Sequence, residues 1–177
     1  VLSFLFLSLG FFTSFLIDIN FFFIILSYFF LNIFYNLVLK KLIFLDVFAL
    51  SFFYMIRIIA PASLSEIYLS YWLISFSFFL FLSLAFLKKY IDFNYKDHFN
   101  HNSSPILREL FFNFSLIAFV TSLSVLISFF NSSQFVLNYE KNFFIYFLII
   151  YFFYWMLNII THTRLDNIKG DPLVFAL

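Results

Sequence analysis

The sequence has no cysteine, only two glycines and only three prolines among its 177 residues. Without cysteine, the chain forms no disulfide and no cysteine-ligated metal site. The two glycines, Gly10 and Gly170, lie too far apart to form the glycine-rich loop of a Walker or dinucleotide-binding motif. Charged residues are also scarce, at 11% of the chain. That fraction is too small for the surface of a soluble domain of this length.

Apolar residues make up most of the chain, at 64%, and 35 residues are phenylalanine. They form six apolar segments, each near the ~20 residues that cross ~30 Å of hydrocarbon. These are Val1–Ile17, Phe21–Leu39, Leu42–Ala60, Tyr71–Leu87, Leu110–Phe130 and Phe143–Ile160. Because backbone groups in lipid must bond internally, the segments are predicted to be helices. The sequence therefore predicts an all-α, polytopic bundle of about six spans, with residues 1–177 in one membrane domain.

Basic residues are distributed unequally between the connections of these spans. One side of the membrane would hold Lys40, Lys41, Lys88, Lys89, Lys96, Arg108, Arg164 and Lys169. The other side would hold only Lys141 as a basic residue, with Asp18, Glu66 and Glu140. Since cytoplasmic loops are enriched in lysine and arginine, the first side is predicted to be cytoplasmic. We expect a multi-pass protein of the cell (inner) membrane, with its longest polar loop from Lys88 to Glu109.

Arg57 is a charge inside a predicted span, and such a charge is costly and often marks a functional site. Asp46 precedes it by eleven residues, about three helical turns, so the two lie on nearly the same helix face. Lys40 and Lys41 come just before, where ammonium groups suit a lipid phosphate. Structural alternatives exist for each residue. Arg57 would extend to the nearer interface, with Tyr54 as a partner, Asp46 would stabilise the helix N-terminus, and the lysines would anchor the helix end.

A second polar cluster follows the fourth apolar segment, in the sequence KKYID. Asp92 is three and four residues after Lys89 and Lys88, so it lies beside both on a helix. A solvated ion pair explains this pattern without any function. The same membrane face holds Lys40 and Asp46, however, and we therefore predict one cytoplasm-facing cavity that both clusters share.

Three blocks of the sequence resemble the UbiA-type prenyltransferase superfamily. FYNLVLKKLIFLDVFALSFFYMIRIIA is similar to the Tyr–Lys–Arg segment of that superfamily and the helix that follows it. YLSYWLISFSFFLFLSLAFLKKYIDF and the ending GDPLVFAL resemble the branch that contains decaprenyl-phosphate phosphoribosyltransferase. Relatives in that branch often have a haloacid-dehalogenase-like domain before the membrane part. The three blocks occur in the expected order between Phe34 and Leu177.

This resemblance implies a Mg²⁺-dependent transferase whose substrate is a polyprenyl (di)phosphate bound on the cytoplasmic side. It transfers either an alkyl or prenyl group or a phosphoribosyl group. The implied partners are that lipid and the membrane lipids, without nucleic acid. The resemblance leaves the metal ligands unassigned. It implies phosphate binding by Lys40, Arg57, Lys88 and Lys89, and catalytic roles for Tyr35, Asp46 and Asp92.

The sequence also departs from the family pattern. The Asp-rich NDxxD motif is absent, and the resemblance implies that it lies upstream, so we expect a C-terminal part of a longer protein that is inactive alone. Pro61 and Phe52 replace small residues that help helices pack closely. The competing hypothesis is a polytopic lipid or solute transporter without transferase activity, because charges within spans also mark transport paths. Apart from Pro61, the chain lacks the broken helices and repeats of many transporters.

Overall fold

The computed structural model describes residues 2–65, 69–99, 105–133, 135 and 144–165. These residues form six α-helices and a 3-10 turn at Leu39–Lys41. The helices are α1 (Leu2–Ile17), α2 (Ile19–Leu37), α3 (Ile43–Leu64), α4 (Tyr71–Phe99), α5 (Pro105–Phe130) and α6 (Phe144–Arg164). The prediction of an all-α fold is confirmed. The predictions for Glu66, Glu140, Lys141, Lys169 and the C-terminal GDPLVFAL lie outside the described residues.

Four helical stretches of the described chain are long and apolar enough to cross a membrane. They are Ile19–Lys41, Ile43–Leu64, Tyr71–Asn94 and Pro105–Phe130. Large apolar side chains point outward from these helices and their neighbours, as in Phe30 at 61% exposure, which suits contact with lipid. The chain is therefore a multi-pass membrane protein. The first and last predicted spans correspond to α1, whose apolar stretch Leu5–Ile17 is shorter, and to α6.

The first of two compact units, Val1–Ile74, contains α1, α2 and α3. Asp18 forms the one-residue turn between α1 and α2, and its Oδ1 accepts hydrogen bonds from the backbone N–H groups of Asn20 at 2.7 Å and Phe21 at 2.9 Å. This is N-capping by an aspartate, which satisfies free N–H groups at the start of a helix. Phe11 contacts Phe29 edge-to-face at 5.5 Å between ring centres. The two helices therefore pack antiparallel.

The α2–α3 hairpin is closed by the 3-10 turn and packed around Phe53. This ring is 8% exposed and contacts Tyr28 at 5.7 Å and Tyr35 at 5.4 Å, both edge-to-face. α3 continues through Pro61 to Leu64, beyond the predicted end at Ala60. Proline has no N–H to donate to the carbonyl four residues earlier. The helix nevertheless resumes, because Ser65 N–H donates to the Pro61 carbonyl at 3.3 Å.

The second unit, Ser75–Leu177, contains most of α4, together with α5 and α6. Its core holds large side chains from all three helices, including Leu87, Phe111 and Met156, each fully buried. Ser83 on α4 donates its hydroxyl to the Ser115 carbonyl on α5 at 2.9 Å. Small residues allow two helices to approach closely, and a serine can bond across them. In the membrane this contact holds α4 against α5.

The prediction that Lys88 to Glu109 form a loop is wrong over most of their length, whereas their cytoplasmic location stays a prediction. α4 continues to Phe99, and its 29 residues span about 43 Å, more than the ~30 Å hydrocarbon core. The segment contains no glycine or proline that would end the helix, and Tyr90 packs on Phe112 with 5.3 Å between ring centres. α5 begins at Pro105, a residue favoured in the first helical position. Packing on α5 therefore stabilises the polar extension of α4.

Candidate functional site

Two of the predicted site residues, Tyr35 and Asp46, meet across the turn of the α2–α3 hairpin. The Tyr35 hydroxyl donates to Oδ1 of Asp46 at 2.5 Å, and Asp46 is only 6% exposed. A hydrogen bond to a carboxylate is shorter and stronger than one between neutral groups. Asp46 lies in the first turn of α3, whose N-cap residue Leu42 makes no side-chain capping bond. The tyrosine therefore fixes the orientation of a buried acid at this end of the hairpin.

Lys40 and Lys41 lie in the 3-10 turn beside this pair, and both are exposed. Lys40 precedes Asp46 by six residues, and Tyr35 is one partner of the Asp46 carboxylate. Because Asp18 closes the opposite end of α2, the basic and acidic turns of this unit lie at opposite ends. That separation agrees with the predicted alternation of charge between connections. The lysine end combines two exposed cations with one buried, oriented carboxylate.

Lys88, Lys89 and Asp92 lie on α4, within the second unit. Both lysines are half-buried, and Asp92 is exposed. Since α4 is continuous here, Asp92 follows the lysines by one turn on the same face, as predicted. Lys40 and Asp46 belong to the first unit. The predicted convergence of the two clusters on one cavity stays a prediction.

Further polar contacts lie at the same end of the second unit. Arg108 on α5 donates from Nη1 to Oδ1 of Asn94 at 3.1 Å. The guanidinium of Arg164 on α6 lies 4.9 Å from the ring centre of Phe112, the ring that also contacts Tyr90. Basic residues from three helices therefore gather at one end, as the charge alternation predicts. The part played by Asn94 was missed, because a pairing across two helices leaves no local spacing signal.

Arg57 has two tyrosine neighbours in the middle of the hairpin. Its Nε and Nη2 groups donate to the Tyr28 hydroxyl at 3.2 Å and 2.9 Å. Its guanidinium carbon also lies 5.4 Å from the ring centre of Tyr54, within cation–π distance. The partnership with Tyr54 is confirmed, and Tyr28 was missed. The extension of Arg57 to the nearer interface stays a prediction. Its side chain tilts toward the helix N-terminus, as helical side chains do, and reaches Tyr28.

Asp46 and Arg57 share a face of α3, as their spacing predicts, but they belong to two separate polar pairs. Eleven residues of helix separate them by about 16 Å. Phe53 lies between the pairs and contacts both Tyr28 and Tyr35. A single phosphate group therefore does not reach both side chains. Arg57 belongs to a different location from the lysine end of the hairpin.

A magnesium ion fits this arrangement only with a substrate that supplies most of its ligands. The described residues contain no group of three or more His, Cys, Asp or Glu side chains that would hold a metal. Mg²⁺ is commonly bound through one or two carboxylates together with substrate phosphates. Asp46 provides one such carboxylate. The donor set suits Mg²⁺ that is already bound to a diphosphate, and it does not form a site for the ion alone.

No protein-family model, curated protein or solved structure matches this chain. Membership of the UbiA-type superfamily therefore stays a prediction that rests on the three sequence blocks. What the geometry provides independently is a multi-pass helical protein with a tyrosine-oriented acid beside two lysines.

Proposed function

We propose that this chain is part of an integral-membrane transferase of the UbiA type, which acts on a polyprenyl (di)phosphate. The observation that supports it best is the hydrogen bond between Tyr35 and buried Asp46, beside Lys40 and Lys41 at one end of a membrane-spanning hairpin. Burial of a carboxylate costs free energy unless its partners compensate. An acid that only stabilised the start of α3 would be equally effective at an exposed position.

In this proposal the lysines bind the phosphate groups and the acid handles the metal. Lys40 would contact the headgroup as a point charge, and Lys88 and Lys89 would do the same from α4. Asp46 would hold Mg²⁺ together with phosphate oxygens, and Tyr35 would keep its carboxylate oriented. The ion would neutralise the charge of the departing or attacking phosphate. Asp92 would contact the metal or an acceptor hydroxyl.

The proposed topology places this site on the cytoplasmic face of the inner membrane. α1 and α6 would also cross the bilayer, which gives six spans. The Lys40 end of the first unit and the Arg108 end of the second would then face the cytoplasm, because basic residues concentrate there. A polyprenyl chain would lie in the bilayer while its headgroup reaches this end.

A transporter is the second candidate, and the Tyr28–Arg57 pair favours it. A guanidinium near the middle of a span is typical of residues that line substrate or ion paths. Pro61, one turn later, weakens the regular hydrogen bonding of α3, and interrupted helices are common at transporter binding sites. This reading would leave Asp46 and the lysines as structural residues.

The test uses the full-length protein in membranes with radiolabelled prenyl or phosphoribosyl donors. Lys40→Ala and Asp46→Asn should each reduce transfer roughly ten- to a hundredfold, since a charged contact contributes about 1.5–3 kcal/mol. Lys88→Ala should behave in the same way if the two clusters share the headgroup. Chelation of Mg²⁺ should abolish transfer, and all variants should insert normally into the membrane.

The matched control is Lys141→Ala, which removes a lysine predicted on the opposite membrane face. Its effect should be small, because a lysine on that face does not contact the headgroup in this proposal. Transfer that persists in chelator would contradict the transferase. An equal loss of transfer in Lys141→Ala and Lys40→Ala would also contradict the transferase.

A further inference from the structure

The Tyr28–Arg57 pair lies along the length of the α2–α3 hairpin rather than at either end of it. Tyr28 is the central residue of α2, with nine residues on each side. Arg57 is seven residues before the end of α3, about 10 Å along the helix, and its side chain reaches back toward Tyr28. Where such a hairpin crosses the bilayer, a cation at this position is costly unless another group neutralises it.

The pair presents hydrogen-bond donors and no acceptor. An arginine has five N–H donors, and two of those in Arg57 bond to Tyr28, which leaves three. Because the Tyr28 oxygen accepts both bonds, its own O–H points away from Arg57 and is a further donor. Within the part of the chain that the structure describes, no carboxylate forms an ion pair with Arg57. The remaining N–H donors of Arg57, together with its positive charge, are complementary to an oxyanion.

An apolar groove between α2 and α3 adjoins these donors. Its volume is about 260 Å³, and besides Tyr28 and Arg57 it is lined by Phe21, Ile24, Ile25, Ile56, Ala60 and Pro61. Tyr28 also lines a second apolar groove of about 340 Å³ between α1 and α2. Both grooves suit a hydrocarbon chain, since their side chains offer dispersion contacts and few polar groups.

We propose that Arg57, held in place by Tyr28, binds the oxyanion of a membrane-embedded amphiphile, a phosphate or carboxylate whose hydrocarbon chain lies in the adjoining groove. One molecule of this kind neutralises the charge of Arg57 with its oxyanion and fills the apolar groove with its hydrocarbon chain. The site is about 16 Å along α3 from Asp46, so it is separate from the headgroup site of the proposed transferase. It requires only that α2 and α3 cross the membrane.

Binding of radiolabelled dodecyl phosphate tests this site directly, with the full-length protein in nanodiscs of phosphatidylcholine. Arg57→Gln should weaken binding about tenfold or more, because it removes a charged hydrogen-bonding partner. Tyr28→Phe keeps the ring contact with Phe53, removes only the hydroxyl and should weaken binding severalfold. Arg164→Gln and Tyr154→Phe are matched controls on α6 and should leave binding unchanged.

Competition identifies which part of the probe is recognised. Excess dodecanol has the same chain without charge, and inorganic phosphate has the charge without a chain, so neither should displace the probe. Unchanged binding in both Arg57→Gln and Tyr28→Phe would overturn the site. Displacement by inorganic phosphate would overturn the amphiphile. Loss of a dimer in Arg57→Gln, without any probe binding to the unmodified protein, would overturn it in favour of a carboxylate from a second copy.

Discussion

Replacement of Tyr35 by phenylalanine tests whether the hydrogen bond to Asp46 stabilises the hairpin. The change removes one oxygen atom and keeps the edge-to-face contact between residue 35 and Phe53. Asp46 is almost completely buried, so water does not readily replace the lost donor. We expect Tyr35→Phe to lower the free energy of unfolding, because the carboxylate then has one partner fewer.

The magnitude follows from the environment of the pair. A hydrogen bond to a charged group contributes about 1.5–3 kcal/mol in a soluble protein. Polar contacts between membrane helices contribute about 0.6 kcal/mol on average and at most about 1.7 kcal/mol, because the unfolded chain in the membrane finds other partners. For a buried carboxylate we expect the upper part of that membrane range, at about 1–1.7 kcal/mol.

A double-mutant cycle with Asp46→Asn isolates the pair, measured by denaturant titration in mixed micelles. The coupling energy between the two substitutions should be about 1 kcal/mol or more. Tyr154→Phe, at a position that is 66% exposed, is the control and should change stability by less than about 0.5 kcal/mol. Additive effects of Tyr35→Phe and Asp46→Asn would refute a stabilising contact between the two side chains.

Two further predictions concern topology and packing. In this cysteine-free chain, Lys40→Cys should react with an impermeant thiol reagent from the cytoplasmic side and Ile19→Cys from the opposite side; reaction of both from one side would contradict the hairpin. Ser83 is fully buried, so Ser83→Leu should destabilise the α4–α5 contact by about 1–3 kcal/mol through overpacking, whereas Ser83→Ala should cost only about 0.6 kcal/mol. Equal unfolding free energies for these two variants would argue against close packing at Ser83.

The positions of the spans follow from the sequence because each depends on a local property, the length of an apolar run. Their ends do not. Pro61 reads as the end of a helix, yet α3 continues to Leu64. The polar sequence after Lys88 reads as a loop, yet burial of Tyr90 against Phe112 extends α4. A backbone hydrogen bond from Ser65 to Pro61 accompanies the first case. Packing against α5, through residues distant in sequence, decides the second.

For the candidate site, too, the sequence predicts relations within one helix but not the pairing between helices. The common face of Asp46 and Arg57 follows from helical geometry, and the contact between Arg57 and Tyr54 follows from a spacing of three residues. The partners Tyr35 and Tyr28 lie on another helix. Their pairing is determined by the register of α2 on α3, which the 3-10 turn sets. A single sequence contains no direct signal for that register.

The central claim is that α3 crosses the membrane with Arg57 near its middle, and a depth measurement by electron paramagnetic resonance tests it most directly. Single nitroxide labels would be placed at outward-facing residues of α3 in lipid vesicles. Suitable positions are Phe44, Phe48, Phe52 and Ile59, which are 45%, 39%, 57% and 37% exposed. The ratio of oxygen to nickel-chelate accessibility should reach its maximum at Phe52. This residue is next to Phe53, which contacts Tyr28. High nickel accessibility at Phe52, or a ratio that rises steadily from Phe44 to Ile59, would contradict a membrane-centred Arg57.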